Sequence, residues 1–318
     1  MGPAPSLVPA PRVRFQTVKM GIQLGAGSDV LSIVPEIQRA EAAGISTAWV
    51  SGRYDALMQL LLAAPQTTRI ELGTGIITTW QRHPAALATQ ALTLQSASKG
   101  RFVLGIGVGH RFMVEGNLGF EWRPVLHLKE YLSVLAPLMR GDAVTFDGHY
   151  FKLKSYKLGA GGLVPAPKVV VAALAPQMLR LAGRLADGTI IFLGGIRYVK
   201  DVAVPVISEA AKKAGRPAPR IIAGAPVLVT ERPASAVREE IAPKLANYDQ
   251  RPVYRAVLDM NGSARSADVV LIGRESEVRD QLDAYADAGV TDFLGSAQAE
   301  RPDEAARTYE VLAHYANR

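Results

Sequence analysis

The sequence predicts a (β/α)₈ barrel, the TIM-barrel fold, and three observations predict it. Short runs rich in β-branched residues alternate with segments whose apolar residues recur at helical spacing, giving eight strand-then-helix units. The predicted strands are almost continuously apolar, as is typical of parallel strands buried on both faces. Similar segments form three helix-to-strand connections, where Gly44, Gly188 and Gly289 stand at the position of a left-handed residue that ends a helix.

The elements follow one another in the order that a barrel requires. The eight predicted strands are Met20–Leu24, Thr47–Ser51, Ile70–Thr79, Phe102–Val108, Lys168–Leu174, Thr189–Leu193, Ile221–Thr230 and Asp292–Gly295. The helical faces after them are marked in turn by Ile33 and Ile37, Leu57 and Leu60, Leu87 and Ala91, Leu128 and Leu132, Met178 and Leu181, Ile207 and Ala210, Val278 and Leu282, and Tyr309 and Leu312. The alternative is an open doubly wound sheet, but the turn after its first strand, GAGSDV, lacks the GxGxxG pattern of dinucleotide sites.

Two connections are longer than a barrel unit needs, so we expect insertions after strand 4 and strand 7. The first contains a hairpin over residues 144–153, with Asp147-Gly148 as its turn, and a Gly/Pro-rich tail over residues 158–167. The second covers residues 231–266. Insertions at this end of a barrel commonly form lids or binding walls, and the alternative is surface decoration.

Composition sets the domain organisation and excludes several classes of protein. Residues 1–18 are Pro-rich and are predicted to be a flexible extension, which leaves 19–318 as a single barrel domain. The chain has no cysteine, and its five histidines show no i, i+4 pairing, so we expect no metal site. The formal charge of +7 is scattered rather than clustered, so no nucleic-acid partner is expected. No apolar stretch reaches the ~18 residues of a membrane span, and no secretory signal is recognisable, so a cytoplasmic protein is predicted.

The chemistry of a barrel is carried at the carboxyl ends of its strands. Strand 4 ends in GIGVGHR, in which Gly105, Gly107 and Gly109 alternate and His110 follows. Glycines on one strand face indicate either the close approach of a flat ligand or a crowded interior. Carboxylates are scarce at the strand ends, Asp55 being the nearest. Glycines without paired carboxylates or a metal pattern indicate chemistry supplied by a bound cofactor.

Three segments give the chain a recognisable family likeness. Leu72–His110, Val169–Gly188 and Val270–Leu294 resemble the luciferase-like monooxygenase superfamily. The likeness extends from Lys19 onward and is narrower to the branch of coenzyme F420-dependent oxidoreductases related to methylenetetrahydromethanopterin reductase. It implies a (β/α)₈ barrel that binds the deazaflavin F420, with FMN as the alternative because FMN-dependent members share the framework. It also implies a homo-oligomer such as a dimer, for which an apolar patch of helices 2 and 3 is a candidate interface.

The resemblance assigns roles to particular residues. It implies a non-prolyl cis peptide between Gly75 and Ile76 in a bulge of strand 3, against which the cofactor ring leans. The residues expected to contact the cofactor are Gly75, Ile76, Thr78, Gly107, Gly109, His110, Ala173, Leu174 and Gln177.

The chain departs from some relatives at the positions that carry catalysis. Gly52-Arg53 stands where members with sugar-phosphate or alcohol substrates have Asp-His, so that reaction is not carried over. His110 stands where some relatives have Glu, and it is the predicted proton donor or acceptor, with Arg53 and Tyr54 as substrate-side donors. We therefore expect hydride transfer with a small-molecule substrate, and reduction of an activated C=C or C=N bond rather than alcohol oxidation. The alternatives are an FMN-dependent two-component monooxygenase and a barrel that binds a flavin without catalysis.

Overall fold

A computed structural model describes residues 18–25, 27, 29–297, 299 and 301–317. The predicted extension, residues 1–18, lies outside the described residues except for Val18, which is buried. The strands are β1 Lys19–Leu24, β2 Thr47–Val50, β3 Glu71–Thr74, β4 Ile77–Thr78, β5 Phe102–Gly107, β6 Val144–Asp147, β7 Lys152–Tyr156, β8 Lys168–Ala172, β9 Gly188–Phe192, β10 Arg220–Val229, β11 Leu271–Gly273 and β12 Asp292–Ala297. The helices are α1 Ile33–Ala42, α2 Ala56–Ala63, α3 Pro84–Ala97, α4 Pro124–Arg140, α5 Pro176–Leu185, α6 Ile196–Tyr198, α7 Val204–Lys213, α8 Ala234–Asp249, α9 Pro252–Asn261, α10 Glu275–Asp287 and α11 Pro302–Ala316.

The strands close into a parallel barrel. The order around the ring is β1, β2, β3, β5, β8, β9, β10 and β12, and β12 returns to β1. The helices between the strands pack against the outside, which confirms the predicted (β/α)₈ fold. The short strand β11 extends β10 outside the ring. It was not predicted, because three residues within a helical stretch give no strand periodicity.

The amino-terminal end of the barrel is filled by side chains. Trp49 packs inside the ring with residues of five other strands, and a Cβ at Gly21 would lie 2.5 Å from its Nε1. Beneath it, Arg220 donates to Glu71 at 2.7 Å and to Asp292 at 2.5 Å, and each of the three is the first residue of its strand. The interior is therefore closed at this end, and a ligand has room only near the carboxyl ends.

The three similar helix-to-strand connections do not all use glycine in the same way. Gly44 and Gly289 have φ of 81° and 88°, as predicted for left-handed helix ends. The prediction was wrong for Gly188, which begins β9 in extended conformation. Glycine is needed there because a Cβ would collide with the carbonyl oxygen of Arg220 on the neighbouring strand.

The two insertions have different structures. After β5, the chain forms α4 and the antiparallel hairpin of β6 and β7. The predicted turn Asp147-Gly148 is too short, because residues 148–151 connect the strands. Their shape is set by Glu130 of α4, whose carboxylate accepts hydrogen bonds from the backbone N–H groups of His149 and Tyr150, both at 2.8 Å. After β10, the chain forms α8 and α9, which lie over the carboxyl end of the barrel.

Candidate active site

A cavity of about 660 Å³ opens at the carboxyl ends of the strands. This volume lies within the range of ordinary ligand pockets, ~300–1,000 Å³. Strand ends form its floor, and the insertion helices add Leu245, Tyr248 and Tyr254 to its wall. No carboxylate lines it among the residues that the structure describes. The cavity therefore suits a flat, largely apolar ligand that is held by a few hydrogen bonds.

A bulge in the third barrel strand forms one side of the cavity. Gly73 pairs with Val103 and Ile77 pairs with Ile106, so one extra residue is accommodated on this strand. Thr74 replaces the missing ladder contacts, because its hydroxyl donates to the carbonyl of Gly105 and accepts from its N–H, both at 2.8 Å. Gly75 and Ile76 thereby line the cavity. The peptide bond between them is cis, as the family resemblance implied.

The three alternating glycines at the end of β5 and just after it have separate roles. Gly105 serves packing, because a Cβ there would collide with the carbonyl oxygen of Thr74. Gly107 lines the cavity, and a Cβ there would lie 2.9 Å from Cδ1 of Ile76 and 3.2 Å from Cβ of Ala172. Gly109 also lines it and has a φ of 64°, which favours glycine. Gly107 and Gly109 with Ile76 form a surface without projecting polar groups, which we call the glycine ledge.

His110 follows β5 and lines the cavity, and one nitrogen of its ring is hydrogen-bonded to the protein. The guanidinium of Arg251 donates a hydrogen bond to its Nε2. Because Nε2 accepts, the proton of the neutral imidazole stands on Nδ1. Burial, and then the positive charge of Arg251, lower the pKa of His110 to about 4. His110 is therefore neutral near pH 7 and can offer Nδ1–H as a hydrogen-bond donor.

Arg251 reaches His110 from the insertion after β10. It is the residue before α9, and its guanidinium lies 5.0 Å from the ring centre of Tyr248 and 5.6 Å from that of Phe112. Within the described ranges no carboxylate forms an ion pair with it. The sequence did not reveal this residue, because a single Arg in a long insertion carries no pattern.

The structure brings most of the predicted site residues together. Gly75, Ile76, Gly107, Gly109, His110, Ala173 and Leu174 all line the cavity. The other four do not line it. Thr78 donates its hydroxyl to Oε1 of Gln81 at 2.6 Å, and Gln177 is exposed in the first turn of α5. Arg53 and Tyr54 are exposed in the loop after β2. The structure thus gathers the predicted cofactor residues except Thr78 and Gln177, and it separates His110 from the two predicted substrate-side donors.

Several residues of the cavity were not predicted. Trp122 comes from the first insertion, and Phe192 ends β9. Gln23 and Ser51 lie on β1 and at the end of β2, and Nε2 of Gln23 donates to Oγ of Ser51 at 2.8 Å. The alternation of inward and outward residues along these two strands could have identified both.

A second histidine is buried beside the cavity wall. His127 of α4 stacks on Trp80 with a ring separation of 3.7 Å, and its Nε2 lies 3.0 Å from Oγ1 of Thr79. Its Nδ1 has no hydrogen-bond partner in the described residues. Burial lowers the pKa of His127 to about 4, so the ring is neutral in the folded protein near pH 7. Its contacts are those of a packing residue of the first insertion.

Fold and site together define a (β/α)₈-barrel protein with a ligand cavity where barrel enzymes carry their active sites. Residues 15–292 match the family model of the luciferase-like monooxygenases. The chain belongs to the luciferase-like monooxygenase family.

Two relatives carry the same name. The chain is 33% identical over 203 residues to the 5,10-methylenetetrahydromethanopterin reductase of Methanolobus tindarius, which covers 62% of this chain and 60% of that protein. It is 28% identical over 322 residues to the 5,10-methylenetetrahydromethanopterin reductase of Archaeoglobus fulgidus, with 88% and 93% coverage. The first alignment thus spans less than two thirds of its relative, and the second spans nearly all of it.

Solved structures share the fold. The coenzyme F420-dependent tetrahydromethanopterin reductase of Methanopyrus kandleri superimposes with a TM-score of 0.73 at 23% identity, over 94% of this chain and 98% of that one. The oxygenating constituent of 3,6-diketocamphane monooxygenase of Pseudomonas putida, solved with FMN, gives 0.70 at 18% identity, with 94% and 98% coverage. At these identities the likeness establishes a common architecture. Among the described residues, no helix combines the length and apolarity needed to cross a bilayer.

Proposed function

We propose that this protein is a coenzyme F420-dependent oxidoreductase that transfers a hydride between the deazaflavin and a small organic substrate. The observation that carries the proposal is the glycine ledge, which faces a carboxylate-free cavity among the described residues. The choice of cofactor is supported by a relative that is 32% identical over 199 residues, the F420-dependent glucose-6-phosphate dehydrogenase of Mycolicibacterium fortuitum.

The residues present fit such a cofactor. Gly107 and Ile76 leave a flat surface on which a ring system can lie, and a methyl group at position 107 would intrude on it. Ala175, the cap residue of α5, lines the cavity, and no side chain caps the free N–H groups of that helix. A helix start of this kind favours a phosphate group. The cavity therefore offers an apolar place for a ring and a polar place for the phosphate of its side chain.

When bound, F420 supplies or accepts a hydride at a single ring carbon. The side chains of the cavity bind the substrate beside the ledge and exclude water from it, since Trp122, Tyr248 and Tyr254 cover the strand ends. His110 presents Nδ1–H to the substrate as a neutral donor. Its low pKa makes it a weak base and keeps it uncharged, so we propose that it orients the substrate or relays a proton from water. Reduction of an activated C=C or C=N bond fits this set of groups best.

The second candidate is an FMN-dependent two-component monooxygenase. The specific observation that favours it is the FMN-bound solved structure, which shares the fold over 94% of this chain. The two functions require different cofactors in the same cavity, so a binding measurement separates them.

The deciding experiment is a titration of the purified protein with oxidised F420 and, separately, with FMN. Trp122 lines the cavity, so binding is followed by quenching of tryptophan fluorescence, with Trp122→Phe as the matched control for the signal. We expect saturable binding of F420 at concentrations at which FMN does not bind. Binding of FMN alone would refute the proposal and direct the search toward oxidation by O₂ with a partner reductase.

A further inference from the structure

The inner surface of the barrel mouth is divided into an apolar half and a polar half. Residues on alternate positions of each strand point inward. On β5 and β8 the last inward positions carry Gly107 and Ala172, and on β9 the last is Phe192. On the adjacent strands β12, β1 and β2 the corresponding positions carry Ser296, Gln23 and Ser51. The polar half thus lies across the mouth from the apolar side of β5 and β8.

Within the polar half, Ser51 has a hydroxyl proton to offer. Nε2 of Gln23 donates to its Oγ at 2.8 Å, which fixes Ser51 as the acceptor in that bond. No acceptor in the described residues receives the Ser51 hydroxyl proton. The hydroxyl is half-buried and lines the cavity, so its proton faces the space where a ligand would lie. A donor that is itself receiving a hydrogen bond is polarised and becomes a stronger donor.

The backbone places the Ser51 donor beside the bulge that contributes Ile76 to the glycine ledge. Ser51 follows Val50, whose carbonyl accepts from the N–H of Gly75 at 2.9 Å, so Ser51 directly adjoins the bulge. The wall around it consists mainly of aromatic and aliphatic side chains, includes Lys244, and has no carboxylate within the described part of the chain. A ligand that matches these groups is apolar in its body and carries a hydrogen-bond acceptor at one end.

We propose that Ser51, positioned by Gln23, binds the carbonyl oxygen of the substrate, and that the substrate is an α,β-unsaturated ketone or aldehyde. This inference rests on the proposed function. The bound deazaflavin would supply a hydride to the β-carbon; the C=C electron pair would then move toward the carbonyl oxygen, and a proton from water would complete the α-carbon. The Ser51 hydroxyl stabilises the charge that develops on that oxygen. Ser51 would then be a catalytic residue and Gln23 a positioning residue.

The experiment measures the hydrogen bond itself. The protein is loaded with oxidised F420, so that no turnover occurs, and cyclohex-2-en-1-one labelled with ¹³C at its carbonyl is added. Infrared difference spectra then report the carbonyl stretch of the bound ketone in the wild type and in Ser51→Ala, Ser51→Thr and Gln23→Met. We expect a lower stretching frequency in the wild type and in Ser51→Thr, an upward shift in Ser51→Ala, and an intermediate value in Gln23→Met. The ketone Kd should rise about tenfold in Ser51→Ala, which is the loss for an ordinary hydrogen bond.

The outcomes separate the two proposals. Failure of F420 to bind the wild type refutes the proposed function, and the ketone spectra are then recorded with the flavin that does bind or with the ligand-free protein, where the same band difference is expected. An identical carbonyl band in the wild type and Ser51→Ala overturns the inference, as does absence of ketone binding by the loaded wild type. A raised F420 Kd in Ser51→Ala with an unchanged band would assign Ser51 to the cofactor instead, and would also overturn it. Thermal unfolding of each variant verifies that it is folded.

Discussion

The Arg251 guanidinium donates to Nε2 of His110 and thereby joins the insertion after β10 to the end of β5. This bond decides which nitrogen of the imidazole carries the proton, and it places a positive charge beside the ring. A residue far from His110 in sequence therefore adds to the effect of burial in lowering the pKa of the predicted acid–base residue.

Replacing Arg251 should raise the pKa of His110. In Arg251→Met the positive charge is gone, while burial, the larger cause of the low pKa, remains. We expect the pKa to rise from about 4 toward, but not up to, its ordinary 6.5. Titration of the five histidines by NMR measures it. Arg255→Met is the matched control, because Arg255 lies one turn further along, within α9, and pairs with Asp259 instead. An unchanged His110 titration in Arg251→Met would contradict the assigned contact.

A methyl group on the glycine ledge should affect ligand binding more than folding. In Gly107→Ala the new Cβ meets the end of the flexible Ile76 side chain, which can move. We expect a loss of stability of about 1 kcal/mol and at least a tenfold weaker binding of F420. Fluorescence titration and urea unfolding measure the two effects.

Gly105→Ala is the contrasting variant. Its Cβ would collide with the backbone carbonyl of Thr74, which cannot move without disrupting the bulge. The loss of stability should therefore reach about 3 kcal/mol or more. Gly116→Ala is the neutral control, because no atom lies within 4 Å of its added Cβ. Equal stability of the Gly105 and Gly107 variants would show that the glycines do not differ as described.

Acid should destabilise the fold through His127. Its pKa is about 4 in the folded protein and about 6.5 when unfolded, so the unfolded chain binds more protons between these values. The stability that the neutral ring contributes is complete above pH 6.5 and is lost as the pH falls toward 4, up to ~3 kcal/mol. Urea unfolding at a series of pH values measures it.

His127→Gln isolates this contribution, because Gln can still bond to Thr79 but does not titrate. We expect its stability to fall less steeply than that of the wild type between pH 6.5 and 4.5. His149→Gln, which removes a half-exposed histidine of the hairpin loop, is the control for loss of a histidine elsewhere in the chain. Parallel curves for the wild type and His127→Gln would rule out a buried neutral His127.

The base of the barrel should tolerate loss of Arg220 poorly. Arg220→Met leaves Asp292, whose side chain is only 4% exposed, without its cationic partner. Breaking a buried pair in this way costs about 3–5 kcal/mol. Urea unfolding measures the loss, and F420 affinity of the protein that remains folded should be unchanged, because the network lies at the opposite end from the cavity. Arg197→Met, which removes an exposed pair with Asp201, is the control.

The barrel could be predicted because its two kinds of element have different apolar patterns. Strands buried on both faces are continuously apolar, whereas helices buried on one face have apolar residues at helical spacing. The prediction missed β11, whose three residues are too few to display a period. It misjudged Gly188 because a left-handed helix end and a close strand contact both select glycine.

The candidate site was predictable where it is built from strands. The residues of the bulge and the ledge follow from position along β3, β4 and β5, and the resemblance supplied their roles. Arg251, Tyr248 and Trp122 come from insertions, whose packing depends on tertiary contacts that no local pattern encodes. Arg53 and Tyr54 were predicted as donors because they follow a strand end, but both are exposed in the loop after β2.

Trp49 and Arg220 close the amino-terminal end of the barrel, and this closure bears on the order in which ligands bind and leave. Because the described residues close the barrel at its amino-terminal end, a cofactor and a substrate bound in the cavity would both enter from the carboxyl end, between the strand ends and α8 and α9. Whichever molecule sits deeper has to arrive first and depart last. For a cofactor seated on the glycine ledge with the substrate above it, steady-state kinetics should obey a compulsory sequence in which the cofactor binds first, and the cofactor form released at the end should inhibit competitively against the form that binds at the start.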